Sequence, residues 1–410
     1  MTIKFKFKNK LKVLQENRNF ALYWFSITIS SIGDGFIPVT TVFAVMALGG
    51  TGVEISIILT ALWASRVLFI LIGGVWADKV SRKLVLLLAD LTNALNHLFI
   101  ALAFFSNIIE IYYLIISAIL YGAAGAFSSP ASLSIISNLL KKEELQRANS
   151  LLSISKNSSL IFGPAFASIL IQFIGYGLIY LIDSVTFLIS FILIMLMNVK
   201  NTSSINDTSF IRNIKTGFKE FFERKWLVIS TVAFSIGNMI IAAYNVIGPL
   251  VINELYADPY KWGLIVAAGT AGAIAGGFFT QIITPKKPYV FSFSVMGVCV
   301  SLLLIGITFN FIPILVVMLF SVLSSGSIAL SSIYQDTIVQ QRIPDNLLSK
   351  VDAIGTLISW GFLSIGLMLS GPVSELIGYS TTLYMFSGLL IIVNLIVIFN
   401  DKIRDIKILR

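Results

Sequence analysis

The sequence predicts an all-α membrane protein: twelve transmembrane helices in two pseudo-symmetric six-helix halves, with both termini cytoplasmic. Three observations carry this expectation. Over 410 residues the chain is 57% hydrophobic and only 12% charged, with a mean hydropathy of +0.91, too apolar to hide in a water-soluble core. Its apolar residues form long runs, each able to supply the ~20 residues that a bilayer core requires. All but three of its 29 lysines and arginines fall in alternate loops and tails, the asymmetry that orients a chain in a membrane.

The runs lie at about residues 20–48, 53–76, 84–106, 110–138, 149–172, 176–198, 226–252, 260–283, 288–309, 312–340, 351–373 and 379–400. Each is read as a helix, because only helices satisfy their own backbone groups in an open chain within lipid. The first, Ala21–Leu48, follows six cations and is too long for a signal-peptide core, so it is expected to be a retained span. The cations gather at the N-terminus, in the 2–3, 4–5, 6–7, 8–9 and 10–11 loops and in the C-terminal tail. Opposite them stands only Lys261, while Arg66 and Lys156 fall inside or at the edge of spans.

The longest polar stretch, Lys200–Lys225, divides the chain into expected halves at 1–199 and 226–410, joined by a cytoplasmic linker at 200–225. An internal repeat supports the division. A shift of 203 positions places Gly73-Gly74 on Gly276-Gly277, Lys83 on Lys286, Arg147 on Lys350, and Ile174-Gly175-Tyr176 on Ile377-Gly378-Tyr379. A shift of 204 places Ser31-Ile32-Gly33-Asp34 on Ser235-Ile236-Gly237-Asn238. One nearly constant offset across many spans indicates duplicated, parallel halves. Asp78, Arg82 and Asp34 meet Gln281, Pro285 and Asn238, so the first half is expected to carry the ionisable chemistry.

Between the second and third runs sits Gly73-Gly74-Val75-Trp76-Ala77-Asp78-Lys79-Val80-Ser81-Arg82-Lys83. A tight turn with one carboxylate and three cations between two spans makes a helical hairpin at a charged membrane face. The spacing resembles the G-x-x-x-D-x-x-x-R-[RK] signature between helices 2 and 3 of the major facilitator superfamily. The resemblance implies a secondary transporter in which Gly73, Gly74, Asp78, Arg82 and Lys83 form a conformational latch helping to hold the outward-open state. The plainer alternative is that the cations only set topology and Asp78 only caps a helix.

Two further segments narrow the resemblance. Gly163-Pro164, flanked by Ser158-Ser159 and by Ala165, Ala167 and Ser168, resembles the helix 5 G-P motif of drug–proton antiporters; proline removes a backbone donor, and small neighbours permit tight packing. Leu139-Leu140-Lys141-Lys142-Glu143-Glu144-Leu145-Gln146-Arg147-Ala148-Asn149-Ser150 is similar to a segment of the macrolide-efflux and enterobactin-exporter branch. Ala118–Gly125 departs from the pattern: it lacks the arginine that many drug antiporters place four residues before the glycine, so coupling cannot run through that group.

Ionisable residues inside spans are costly and face a cavity or a partner. Asp34 lies about fourteen residues into the first span, Arg66 about ten from the cytoplasmic end of the second, and His97 about thirteen into the third, at similar depths given ~1.5 Å per residue. Asp34 is expected to couple protons, with Asp90 as second candidate, and Asp34 and Arg66 form either a proton-exchanging or a static pair. Asp90, Asn93 and His97 share one helix face. Arg66, Asn93, His97 and Asn238 are the expected cavity residues, although His97 equally fits a hydrogen-bonded packing role. Asp183 and Lys156, near span ends, are expected at the interface.

The formal charge of +9 sits in loops and tails, which excludes nucleic acid as the natural partner. Lys4-Phe5-Lys6-Phe7-Lys8 fits either anionic headgroups or plain topology. Cys299 is the only cysteine, so no disulfide framework or cysteine metal site is expected. There is no G-x-x-x-x-G-K-[ST] loop and no H-E-x-x-H, so neither an enzyme nor a cofactor is expected. The 31 Phe, 13 Tyr and 6 Trp supply interfacial belts, packing and a possible cavity wall.

The expected protein is a monomeric, multi-pass exporter of the cell (inner or plasma) membrane, meeting a small-molecule substrate, protons and the lipid bilayer. By resemblance it exports hydrophobic or amphipathic compounds such as macrolide-like drugs in exchange for protons. Export of a siderophore or other endogenous metabolite, and lipid flipping, are the alternatives.

Overall fold

A computed structural model describes residues 13–77, 81–199, 210–256, 258–280, 282–283 and 285–407. The Lys4–Lys8 stretch and the latch residue Asp78 lie outside them. Among the described residues the regular elements are helices. In order they are α1 (Arg18–Ala47), α2 (Gly52–Ala77), α3 (Arg82–Phe105), α4 (Ile111–Leu139), a run from Lys142 to Met195, α7 (Phe210–Glu223), α8 (Lys225–Tyr256), α9 (Pro259–Phe279), α10 (Pro288–Gly306), α11 (Ile314–Arg342), α12 (Asp345–Ile377), α13 (Tyr379–Phe399) and α14 (Asp401–Arg404).

Eleven of these are long and apolar enough to cross a membrane; the expected twelfth comes from the Lys142–Met195 run. Its 54 residues would extend about 80 Å as one helix, more than twice the ~30 Å hydrocarbon thickness. Gly175 interrupts it, with φ 71° and ψ 175°, a conformation open essentially to glycine alone. The run therefore divides into α5 (142–174) and α6 (176–195). The duplicate glycine, Gly378, stands at the α12–α13 junction with φ 88° and ψ 151°. The repeated Ile-Gly-Tyr thus marks the same backbone break in each half of the sequence.

Two compact units emerge, Met1–Gly49 with Ala61–Ile205, and Gly50–Thr60 with Asn206–Arg410. In the first, α1 packs along the α5–α6 run, and α3 packs against both α4 and that run. One end of this unit is apolar, built on Phe20, Tyr23, Val85, Leu86, Ile135, Leu151 and Ile194. Asn17 caps α1 by accepting from the Phe20 amide at 2.9 Å, while its Nδ2 donates to the Leu139 carbonyl at 2.6 Å. In the second unit α9 packs on α11, α8 on α12, and α10 on α11 and α13. The first turns of α2 join it: Ser56 Oγ accepts from the Gly371 amide at 2.8 Å and lies 3.0 Å from Ser370 Oγ.

The stretch expected to be a polar linker contains α7. Its apolar residues recur at helical spacing, so one face is greasy although the helix is too polar to span. Phe221 is buried with Leu227, Ile343, Val351 and Ile354, whereas Phe218 and Phe222 are exposed. Elsewhere in the unit Lys287 donates to Asp405 at 2.8 Å, and that bond holds the Asp405 carboxyl below its ordinary range.

Between membrane helices there is little hydrophobic driving force, so packing falls to small residues that let backbones touch. Gly163 is one instance: a Cβ there would lie 2.5 Å from the Gly35 Cα on α1. Gly163→Val should therefore destabilise the first unit by about 1–3 kcal/mol through overpacking. Detergent-solubilised protein should show this as a lowered melting temperature; an unchanged one would refute the contact.

Candidate functional site

The first unit carries a polar network at mid-span depth. Asp34 on α1 is half-buried and accepts from the Tyr121 hydroxyl of α4 at 2.6 Å. The Tyr121 ring stacks on His97 of α3, with centroids 5.5 Å apart and planes 24° apart. His97 Nδ1 is hydrogen-bonded to Asp183 Oδ2 of α6, and both side chains are almost wholly buried. The other Asp183 oxygen accepts from Thr186 at 3.3 Å. Tyr180 meets the His97 ring edge-on at 5.5 Å, and its hydroxyl lies 2.8 Å from Thr41 Oγ1 on α1. The chain of contacts thus leaves α1 at Asp34 and returns to it at Thr41.

Asp90 lies on the same face of α3 and accepts from the Ser190 hydroxyl of α6 at 2.5 Å. Asn93 and His97 are buried in the α3 packing face; neither lines the cavity described below. Their face is the shared one expected from spacing, but α6 covers it, with Ser184 donating to the Ala94 carbonyl at 2.7 Å.

Asp183 corrects the sequence reading: it is fully buried, not interfacial. Gly175 restarts the helix, so Asp183 stands eight residues into α6, roughly 12 Å from its start. Tyr180 and Phe187, at helical spacing around it, turn the same side toward His97. The Asp34–Arg66 pair is also absent: among the described residues no ion pair joins them. The Arg66 guanidinium lies over the Trp63 ring at 5.1 Å and against Gly125. Its Nε is buried without a hydrogen-bond partner.

Lys83, expected in the latch, donates to the Met195 and Met197 carbonyls at 2.8 and 2.6 Å. It thereby caps the end of α6, where the helix dipole favours a cation. Gly73 and Gly74 fall in α2, and Arg82 opens α3 behind the Ser81 cap. Gly163 packs on Gly35, with Pro164 next to it inside α5.

The second unit holds a cavity of about 580 Å³. Asn238 lines it and donates to Ser359 Oγ at 2.8 Å. Asp336 on α11 and Asp352 on α12 also line it, two carboxylates that the sequence reading passed over. The signal was present. Ser332, Gln335, Asp336 and Gln340 recur at i, i+3, i+4 and i+8, and Asp352, Thr356 and Ser359 at i, i+4 and i+7, each set on one face of a helix.

A helical protein with membrane-length segments, two compact units and buried polar side chains is built as membrane transporters are. The major facilitator superfamily model matches residues 23–360, and the chain belongs to that superfamily. It is a multi-pass protein of the plasma membrane. It is similar to the uncharacterized MFS-type transporter YfiS of Bacillus subtilis, 24% identical over 405 residues, covering 93% of this chain and 92% of that one. The uncharacterized MFS-type transporter YvqJ of the same organism is 22% identical over 269 residues, 64% of each chain. The multidrug efflux pump Tap of Mycobacterium tuberculosis is 21% identical over 402 residues, 94% of each chain. Among solved structures it resembles the nucleoside transporter NupG, with a TM-score of 0.71, 14% identity, and 92% and 97% of the two chains covered. A bacterial homologue of the lysosomal transporter Spinster, in an inward-facing, unoccupied conformation, gives 0.69 at 11% identity, covering 92% and 94%. At these identities the likeness to solved structures is one of fold.

The buried His97–Asp183 pair yields a stability prediction. Removing one partner of a buried pair typically costs about 3–5 kcal/mol, because the other is left uncompensated, whereas replacing both with apolar groups is far milder. Asp183→Ala should lower the melting temperature of the purified protein much more than His97→Leu/Asp183→Leu together. Equal loss in the two would show that the pair is not a unit.

Proposed function

We propose that the protein is a secondary active exporter, moving hydrophobic or amphipathic small molecules such as macrolide-like drugs outward in exchange for inward-moving protons. The observation that carries the reading is Asp34: a half-buried carboxylate at mid-span whose partner is a neutral hydroxyl, not a cation. Such a group has no ion-pair partner among the described residues; the charges of Arg66 and Lys156 favour its ionised form and those of Asp90 and Asp183 oppose it, a balance that lets it take up a proton as its surroundings open to either side. The similarity to Tap, named as a multidrug efflux pump, supports drug export as the direction of work.

Ionised, Asp34 receives a charge-assisted hydrogen bond from Tyr121, stronger than a neutral one. Protonated, it loses that advantage, and the tie between α1 and α4 weakens. A proton arriving at Asp34 thus changes the internal bonding of the first unit, the kind of differential contact that can bias two access states by about 1–3 kcal/mol. Asp90, bonded to Ser190, is the second acid of this scheme. Gly73, Gly74, Asp78, Arg82 and Lys83 act as the latch, with Lys83 anchoring its end of α3 to α6. Gly163 and Pro164 serve as the closely packed antiporter motif.

Asp34→Asn fixes the neutral form and should abolish uphill, gradient-driven efflux from proteoliposomes while sparing substrate binding and downhill exchange. Proton-coupled efflux at wild-type rates in that variant would move coupling to another acid. In this scheme both termini are cytoplasmic. Single cysteines at Lys141 or Arg212, in a Cys299→Ser background, should resist impermeant thiol reagents in intact cells, and one at Lys261 should react. Labelling at position 212 from outside would invert the map.

A further inference from the structure

We propose that the cavity of the second unit binds the positively charged part of the cargo, making that cargo an amphipathic organic cation; this rests on the exporter reading. The cavity's volume, about 580 Å³, is that of a site for a drug-sized molecule. Its walls are chemically divided. Phe234 and Met296 offer an aromatic ring and a polarizable thioether to an apolar body. The charged groups of the same lining are Asp336 and Asp352, contributed by two different helices.

Neither carboxylate has a hydrogen bond or an ion pair among the described residues. The nearby cation Arg342 donates instead to the Lys407 carbonyl at 3.2 Å. Gln335, next to Asp336, has its Oε1 buried without a partner. Asn238 has already committed its Nδ2 to Ser359. What the cavity offers a ligand is therefore two negative charges, with no lysine or arginine among its lining residues. The two carboxylates, both exposed at the cavity, repel each other, and a bound cation relieves both at once. An anionic siderophore would instead add a third negative charge, so the same geometry disfavours that cargo.

The test uses full-length protein in nanodiscs, with radiolabelled tetraphenylphosphonium and its anionic isostere tetraphenylborate in equilibrium dialysis against empty nanodiscs. The wild-type protein should bind the phosphonium saturably and the borate far more weakly. Asp336→Asn and Asp352→Asn should each weaken phosphonium binding roughly tenfold or more, the scale of one lost charge-assisted contact, while Asp336→Glu should retain it. Borate binding as tight as phosphonium binding, in wild-type protein that needs no mutation to fold, would overturn the proposal. So would unchanged phosphonium affinity in a double Asn variant with a wild-type melting temperature. Because no gradient is involved, the two readings fail separately. Binding as described, without proton-driven expulsion of the phosphonium from proteoliposomes, would sink the exporter and leave the cation site standing.

Discussion

The absence of water from the bilayer core is the constraint on which the rest of the structure depends. Every backbone amide and carbonyl there must find its partner within the chain, which leaves helices as the form available to an open polypeptide. Once the elements are helices, lipid supplies no hydrophobic reason for them to associate, so association falls to close packing and to polar side chains that reach across. Both devices are visible in the first unit. Gly35 and Gly163 bring α1 and α5 into backbone contact, and Asp34, His97 and Asp183 tie α1, α3, α4 and α6 together.

The two units use their acidic side chains differently. In the first, Asp34, Asp90 and Asp183 each meet a named partner: a tyrosine, a serine and a histidine. Such satisfied groups stiffen a bundle and can change bonding when a proton arrives. In the second, Asp336 and Asp352 face a cavity without a partner among the described residues. A carboxylate held that way is poised for something that enters from outside the fold. Asn238, the counterpart of Asp34, also belongs to that cavity, where a neutral amide bonded to Ser359 replaces the ionisable group. The repeat thus sets a polar residue at matching places in the two halves of the sequence, an acid in one and an amide in the other.

The sequence by itself determined the class of fold, because hydropathy and charge asymmetry act on whole segments and need no neighbours to be read. It also located the helix breaks: Ile-Gly-Tyr occurs twice, and at both sites glycine adopts a positive φ that other residues resist. It named the ionisable residues of the first unit and even the shared face of Asp90, Asn93 and His97. What it left open was pairing. Asp34 and Arg66 lie at similar depth in neighbouring spans, yet the carboxylate takes Tyr121 and the guanidinium takes Trp63. Asp183 read as interfacial, yet it is the buried partner of His97, and Asp336 and Asp352 looked like ordinary residues near span ends. The reason is physical. Depth in a membrane follows from counting residues along a helix, but which side chains meet depends on the rotation and close approach of helices far apart in sequence, and only tertiary packing decides that.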